Sequence, residues 1–365
     1  MEMQPDVYHH FNIILNNLRK ILTLILICAS PKALCEEVQK FKKINSSGLN
    51  YYQFITADVD MRSAEFKKYQ SVQKIANPQI EFPNMRLTHL ALEENGKREF
   101  VKTYTLNQFG FRKIAINQKA KQHFIMAGDS HIFGHGCNDD ETITSFLAEK
   151  FPDYQMVNLG ISGSAGNSLL FFLDHYNLKT MISSKLDRGI FIYDFSDYLI
   201  ERMIGSKNFI RWGWMQPAYE INSKGKLVFI DSFNGLWATK FFKFINLIDP
   251  NNYFIANLPK ITDDHLKLIA RIFVEMKKKY LSQTNIANHF YIQLNPFFLE
   301  EDNKMIVQKL IVKFKAEGLE LLSPGRNKLM AEHIYLRDRH LTPEGHRFYA
   351  NLITDELKHS KDRLK

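Results

Sequence analysis

One serine and one histidine of this sequence stand in contexts that could support nucleophilic catalysis. Ser130 follows Gly128 and Asp129 in a short turn, where an apolar segment of the chain ends. A serine hydroxyl is a weak nucleophile, so it needs a nearby base and hydrogen-bond donors for the oxyanion that forms during attack on a carbonyl group. Far downstream, His340 could act as general base and then general acid, with Asp338 orienting its imidazole.

Either fragment alone is weak evidence for a catalytic site. Gly-Asp-Ser turns are common because Asp and Ser satisfy backbone groups, and an Asp two residues before a His is more often a surface pair than part of a triad. The two fragments occur in order, at opposite ends of an alternating pattern of strands and helices, and this favours the catalytic interpretation. His346 competes for the role of base, but it falls within the predicted last helix, and we interpret it as structural.

The elements that must position these residues alternate from about residue 122. Short apolar runs predict strands at 123–127, 155–159, 189–193 and 290–294. Helices are predicted over 142–150, after Gly166, behind the cap candidates Asp263 and Asp264, over 304–316 before Gly318, and from the N-cap Thr342 and Pro343 to about Leu357. This alternation predicts an α/β fold, a three-layer αβα domain with a mostly parallel, flavodoxin-like central sheet. Ligands bind such sheets at the carboxyl ends of the strands, where Ser130 is expected.

The first residues carry a targeting pattern. Within residues 1–35, Arg19 and Lys20 precede an apolar run over 21–29, and small and polar residues follow it. This order predicts a signal peptide or an N-terminal apolar segment. The run is shorter than a comfortable membrane span, so we expect an exported protein, periplasmic or secreted, with anchoring by this segment as the alternative. A buried helix is the competing interpretation.

Two further regions lie outside the alternation. Residues 36–120 are interpreted as a mixed N-terminal extension, and residues 121–358 as the main domain with an insertion at about 205–260. The insertion contains all three tryptophans and a predicted hairpin. Its apolar segment 241–248 could form a cap over the active site or a membrane-surface patch. Packing against the main domain is favoured, because large aromatic residues are core residues first.

The composition excludes several function classes. The 365 residues are 45% hydrophobic and 24% charged, so the chain can bury a full core. The net charge of +9 is spread over separate clusters, and we therefore predict no nucleic-acid partner. No zinc-site spacing is present, and the Gly-His-Gly stretch at 134–136 lacks the third glycine of a dinucleotide loop. We accordingly predict no metal and no cofactor.

The ordered motifs resemble the SGNH/GDSL hydrolase superfamily. The Gly-Asp-Ser turn at 128–130 is similar to its first block. Its last block, an Asp-His pair followed by a proline and a Gly-His step, is matched by Asp338, His340, Pro343, Gly345 and His346. Upstream, residues 106–113 resemble the lead-in of many exported bacterial members. The likeness spans roughly residues 104–357 as ordered blocks with a loose middle.

The resemblance also implies an oxyanion hole. Residues 157–168 resemble the second block, which places Gly163 beside Ser130 as a source of backbone N–H groups. The third block of the family adds an asparagine side chain, and Ser196 stands at that place here. Asn167 is another candidate donor, or a helix cap. Because losing one donor typically costs about 100- to 1000-fold in turnover, the site could be slow or specialised.

Three functions remain open on these residues. The first is a serine hydrolase that cleaves an O-acyl or O-acetyl ester. The second is an O-acyltransferase that uses the same triad to modify an envelope polysaccharide. The third is a catalytically weak, carbohydrate-binding protein that keeps the fold. Expected partners are a small-molecule, carbohydrate or lipid ester substrate, together with a possible envelope or membrane surface.

Overall fold

The computed structural model describes residues 41–44, 50–57, 84, 86–93, 98–182, 185–249, 257–295, 297, 303–323, 329–336 and 338–359. The predicted signal segment at 1–35 lies outside these residues. Among the described residues, no helix is both long enough and apolar enough to cross a membrane.

The N-terminal extension contains an antiparallel sheet, which the interpretation as a mixed segment had missed. Its strands, hydrogen-bonded in chain order, are β1 (Phe41–Ile44), β2 (Asn50–Ala57), β3 (Arg86–Glu93) and β4 (Arg98–Thr105). Leu87 of β3 and Tyr104 of β4 are buried against Leu106 and Phe133. Phe133 lies three residues after Ser130, so this sheet packs directly onto the segment that carries the candidate nucleophile.

The central sheet has five parallel strands and confirms the predicted fold class. Its strands are β5 (Gln122–Gly128), β6 (Tyr154–Gly160), β7 (Gly189–Phe195), β10 (His289–Leu294) and β11 (Glu320–Leu322). Their order, β11-β10-β7-β5-β6, is the flavodoxin-like one. Four of them lie where the apolar runs predicted strands. The fifth, β11, has only three residues, too few to produce a recognisable pattern.

Helices cover both faces of this sheet. They are α1 (Ser130–Phe133), α2 (Ile143–Lys150), α3 (Gly166–His175), α4 (Leu199–Ile204), α5 (Lys207–Gly213), α6 (Trp237–Ile248), α7 (Asp263–Gln283), α8 (Lys304–Ala316) and α9 (Pro343–His359). Side chains of β5 alternate between the faces: Ile125 packs in the core with α3, α7 and α8, whereas Phe124 packs in the core with α2 and α9. Both faces of the strand are therefore buried, as expected for a parallel sheet.

Local capping explains where the helices begin and end. α7 begins after Thr262, whose hydroxyl accepts the N–H of His265, so the prediction of Asp263 or Asp264 as the cap is wrong. Those carboxylates lie in the first turn, where the helix dipole favours negative charge. α8 has the predicted bounds and is followed by Gly318 in a left-handed conformation (φ 70°).

The aromatic-rich insertion contributes α5, α6 and a hairpin of β8 (Pro217–Ile221) and β9 (Leu227–Ser232). The segment 241–248 was predicted to pack against the main domain. One face of α6 is buried, through Phe242 and Ile245. Trp237, Phe241, Phe244, Leu247 and Ile248 are exposed on the same helix, with 77% of Trp237 accessible to solvent. An exposed set of this size is unusual for a helix that only packs against its own domain.

Candidate active site

Ser130, His340 and Asp338 converge at the carboxyl end of β5. His340 Nε2 lies 2.8 Å from Ser130 Oγ, and His340 Nδ1 lies 2.6 Å from Asp338 Oδ2. The Asp338 side chain is fully shielded from solvent, while 14% of the His340 side chain remains accessible. With Nδ1 protonated toward Asp338, Nε2 is free to accept the serine proton. The arrangement can pass a proton from hydroxyl to imidazole.

The end of β5 places Ser130 at the first position of α1. Gly128 is required there because a Cβ atom would lie 2.7 Å from Ile132 Cγ1. Asp129 is the N-cap and accepts the N–H of His131 at 3.0 Å. The N–H of the first helical residue has no partner within a helix, so the Ser130 N–H is available to an oxyanion.

Two side chains hold Asp129, one from α4 and one from the residue that precedes α4. Tyr198 donates its hydroxyl hydrogen to Asp129 at 2.7 Å, and Arg202 Nη1 lies 3.1 Å from the same carboxylate oxygen. Burial alone raises the pKa of Asp129, but the positive charge of Arg202 and the hydrogen bonds from the His131 N–H and the Tyr198 hydroxyl hold that pKa below 3.8. Asp129 is therefore an ionised, fixed cap. Tyr198 and Arg202 were missed in the sequence, although their i, i+4 spacing after β7 was visible.

The loop that carries Asp338 and His340 is fixed before α9. Arg339, between them, has a positive φ of 62°, a conformation that is uncommon for residues other than glycine. Backbone hydrogen bonds from Arg339 N to Tyr335 O and from Tyr335 N to His340 O, both 2.9 Å long, stabilise this turn. Thr342 caps the first turn of α9 by accepting the N–H of Gly345, as predicted.

A second histidine lies close to Asp338 and His340. His135, in the loop after α1, has its Nε2 atom 3.6 Å from Asp338 Oδ2, and its ring centroid lies 4.2 Å from that of His340. Arg112 braces this loop by donating to the carbonyl oxygens of Gly134 and Cys137. No sequence pattern indicates His135, whereas Arg112 belongs to the lead-in at 106–113 on which the resemblance rests.

The predicted oxyanion donors differ in their contacts. Gly163 has a left-handed conformation (φ 72°), and its carbonyl oxygen accepts from Gln216 at 2.7 Å. Ser196 is buried next to Tyr198. Asn167 is fully buried and its amide donates to the carbonyl oxygen of Pro217 at 2.6 Å. The roles of Ser196, Asn167 and the Gly163 N–H as oxyanion donors therefore stay predictions.

The other buried histidines near the site are neutral. Burial lowers the pKa of His131 to about 4, and burial also holds the pKa of His346 well below 6.5. His346 accepts the N–H of Ile143 at 3.2 Å, so it joins α9 to α2. This contact agrees with its interpretation as a structural residue.

Comparisons with known proteins find similarity only at the level of structure. No protein-family model matches the sequence, and no curated protein matches it significantly. The psychrotrophic esterase EstA from Pseudoalteromonas sp. is 12% identical, with a TM-score of 0.37 over 66% of this chain and 99% of its own. A family two carbohydrate esterase from Cellvibrio japonicus is 11% identical, with a TM-score of 0.39 over 90% and 96%. A family two carbohydrate esterase from Clostridium thermocellum, in complex with cellohexaose, is 10% identical, with a TM-score of 0.40 over 75% of each chain.

These three solved structures are esterases, and two of them are carbohydrate esterases. Their TM-scores are all below 0.5 and their identities below 15%. Similarity this low assigns no substrate to this chain.

Proposed function

We propose that this chain is a serine hydrolase of the SGNH/GDSL type, which cleaves an O-acyl or O-acetyl ester through an acyl-Ser130 intermediate. The observation that carries the proposal is the pair of short contacts, 2.8 Å from Ser130 Oγ to His340 Nε2 and 2.6 Å from His340 Nδ1 to Asp338 Oδ2. Residues from opposite ends of the domain meet in the order that nucleophilic catalysis requires.

Each residue of the triad has a defined step. His340 Nε2 accepts the hydroxyl proton as Ser130 Oγ attacks the ester carbonyl carbon, and Asp338 stabilises the imidazolium. The imidazolium then donates that proton to the departing alcohol oxygen, which leaves acyl-Ser130. Water enters, gives a proton to His340 and attacks the acyl carbon, after which Oγ leaves and recovers the proton. In both attacks the Ser130 and Gly163 N–H groups would bind the oxyanion.

Hydrolysis of p-nitrophenyl acetate and butyrate by the full chain tests this mechanism. Ser130→Ala should lower kcat on the order of 10⁴-fold or more, because the nucleophile is lost. Ser206→Ala is the matched control, since Ser206 is also buried but caps α5 by accepting the N–H of Phe209. A fluorophosphonate probe should label Ser130 and no other serine. Equal hydrolysis by Ser130→Ala and the parent protein would remove Ser130 from the mechanism.

The same acyl-enzyme could instead pass its acyl group to a sugar hydroxyl, because acyl-Ser130 is common to hydrolysis and transfer. Incubation with an acyl donor and a polysaccharide acceptor, followed by mass spectrometry, distinguishes them. A transferase places the acyl group on sugar in preference to water. The catalytically weak, carbohydrate-binding alternative predicts folded protein that the fluorophosphonate probe does not label, which fits the absence of an asparagine at position 196.

For the location of the protein, we propose export directed by residues 1–35 and contact of α6 with an anionic membrane surface. The exposed apolar face of α6 includes Trp237 and Phe244, and both charged residues of this helix, Lys240 and Lys243, are lysines. Aromatic residues beside lysines, on a chain of net charge +9, suit an interface with anionic lipid.

Vesicle sedimentation tests the membrane contact. The protein should bind phosphatidylglycerol vesicles and release at high salt, and it should bind phosphatidylcholine weakly. The double substitution Trp237→Ser and Phe244→Ser should abolish binding, whereas substitution of another exposed aromatic, Phe229→Ser on the hairpin (48% accessible), should not. Cleavage near residue 35 during expression in bacteria, read by N-terminal mass, tests export.

A further inference from the structure

A third side chain faces the Asp338 carboxylate, and the hydrolytic mechanism has no step for it. His135 Nε2 lies 3.6 Å from Asp338 Oδ2, which is longer than an ordinary hydrogen bond. Its ring also lies against that of His340, with centroids 4.2 Å apart and planes inclined by 34°. A carboxylate therefore sits between two imidazoles, in a pocket that keeps 13% and 14% of the two histidine side chains accessible.

The backbone conformation and hydrogen bonds of the loop fix the position of His135. Gly134 and Gly136 both have positive φ angles, 84° and 82°, and a Cβ at Gly136 would lie 2.7 Å from the Tyr335 ring. The Gly136 N–H donates to the Tyr104 hydroxyl, and the Gly136 carbonyl oxygen accepts from the Tyr335 hydroxyl, each at 2.9 Å. These contacts fix the backbone on either side, so His135 is held facing Asp338.

Two imidazoles and one carboxylate form a donor set typical of zinc. One ligand atom from each of His135, Asp338 and His340 lies within 4.8 Å of the other two. Tetrahedral zinc with bonds of about 2.0–2.1 Å needs ligand atoms roughly 3.3 Å apart. The His135–Asp338 separation already approaches that value, and the shorter Asp338–His340 contact would have to widen by less than about 1 Å. Among the residues that the structure describes, these three are the group with this property.

We propose that His135, Asp338 and His340 bind a zinc ion, with water as fourth ligand, and that the bound ion inhibits the enzyme. Zinc would take the Nδ1 lone pair of His340, so the Nδ1 proton that bonds to Asp338 is released to solvent and Nε2 takes up a proton, which keeps the imidazole neutral. A protonated Nε2 has no lone pair to accept the Ser130 hydroxyl proton, so the serine has no base. The inhibitory half of this inference rests on the proposed function, whereas zinc binding itself does not.

Calorimetric titration of zinc chloride into tag-free, chelator-treated full chain tests the binding directly. We expect one zinc ion per chain in the parent protein, and also in Ser130→Ala, because Ser130 is not a ligand. His135→Gln should weaken binding by about 100-fold or more, since it removes a ligand and not merely a supporting contact. His289→Gln is the matched control, a partly buried histidine outside the cluster, and should bind as the parent does.

Spectroscopy and kinetics complete the test. Cobalt(II) should give the intense visible absorption of a tetrahedral site in the parent protein but not in His135→Gln, with circular dichroism confirming that the variant is folded. Zinc should inhibit ester hydrolysis by the parent, a chelator should restore it, and His135→Gln should resist inhibition. No binding by the parent, or equal binding by parent and His135→Gln, overturns the metal site. If zinc binds in a His135-dependent way but the protein has no esterase activity, the proposed function is refuted. The metal site is then still supported.

Discussion

Replacement of Asp194 by asparagine should make the protein more stable at neutral pH. Asp194 lies near the end of β7, two residues before Ser196, and its side chain is buried at the centre of the fold. Its carboxyl group accepts a hydrogen bond from the amide of Asn295 at 3.0 Å and is also bonded to the Tyr349 hydroxyl of α9. It therefore joins β7 to the end of β10 and to the helix that follows His340.

The size of the effect follows from the pKa of this carboxyl group. Burial raises the pKa of Asp194 from 3.8 to about 7, and the hydrogen bonds from Tyr349 and Asn295 oppose part of that rise. Because the folded-state pKa is the higher one, the folded protein loses stability as pH rises from about 4 to about 7. The difference of about 3 pH units corresponds to about 4 kcal/mol at 1.36 kcal/mol per unit.

An asparagine at position 194 resembles the protonated acid. Its carbonyl oxygen can accept from Asn295, and its amide nitrogen can donate to the Tyr349 oxygen, but it carries no proton to lose. Below pH 4 the Asp194→Asn variant should be about as stable as the parent. Between about pH 4 and 7 its advantage should grow by roughly 1.4 kcal/mol per pH unit and then level off.

Urea unfolding of both proteins at half-unit pH intervals from 4 to 8 measures this difference. Other titrating groups, such as His131 and His346, are common to both proteins, so their contributions cancel. Stability curves that run parallel across this range would show that Asp194 ionises in the folded state as it does in the unfolded chain, and would refute the reasoning.

Substitutions at Gly163, Arg202 and Arg339 test how the site is positioned. Gly163→Ala should lower kcat for ester hydrolysis by about 100-fold because it strains a left-handed residue and moves an oxyanion donor; Gly225→Ala, equally left-handed (φ 72°) but with nothing within 4 Å of its Cβ position, should leave hydrolysis unchanged. Arg202→Gln should lower the free energy of unfolding by about 3 kcal/mol or more in denaturant titration, because it leaves the Asp129 charge buried without its partner, and adding Asp129→Asn should recover part of the loss. Arg339→Gly should change the unfolding free energy by less than about 1 kcal/mol, whereas Arg339→Val should cost about 1–3 kcal/mol and reduce hydrolysis; similar values for the two would contradict a strained turn.

The main-domain fold could be predicted because its signals are local. Apolar runs between glycines and polar turns predicted β5, β6, β7 and β10, and helical spacing predicted α8 with its correct bounds. Two short helices, α4 and α5, were not predicted, since each has only six or seven residues and three or four buried residues. β11 was missed for the same reason. Elements of one or two turns take their conformation from the neighbours they pack against.

The candidate triad could be proposed from the sequence, but its surroundings could not. The spacing of Asp338 and His340 before a capped helix was visible as a pattern, whereas the approach of His135 to Asp338 joins residues about two hundred positions apart through a loop shape. The resemblance places Ser196 where the family has an asparagine, and its role as an oxyanion donor stays a prediction.

The domain boundary expected at residue 120 marks where the alternation of strands and helices begins. Residues before this boundary also support the candidate active site. Arg112 lies before that boundary, yet its guanidinium donates to the loop of His135, lies 3.0 Å from Asp139 and stacks 4.4 Å from the Tyr104 ring. The Tyr104 hydroxyl in turn accepts the N–H of Gly136. A pattern of strands and helices predicts which segments form a sheet, but it does not predict which segments pack against a loop and stabilise it. Because β4 and the lead-in hold the segment beside the nucleophile, the extension is part of the candidate active site, and a chain cut at residue 120 would leave that loop without its buried arginine.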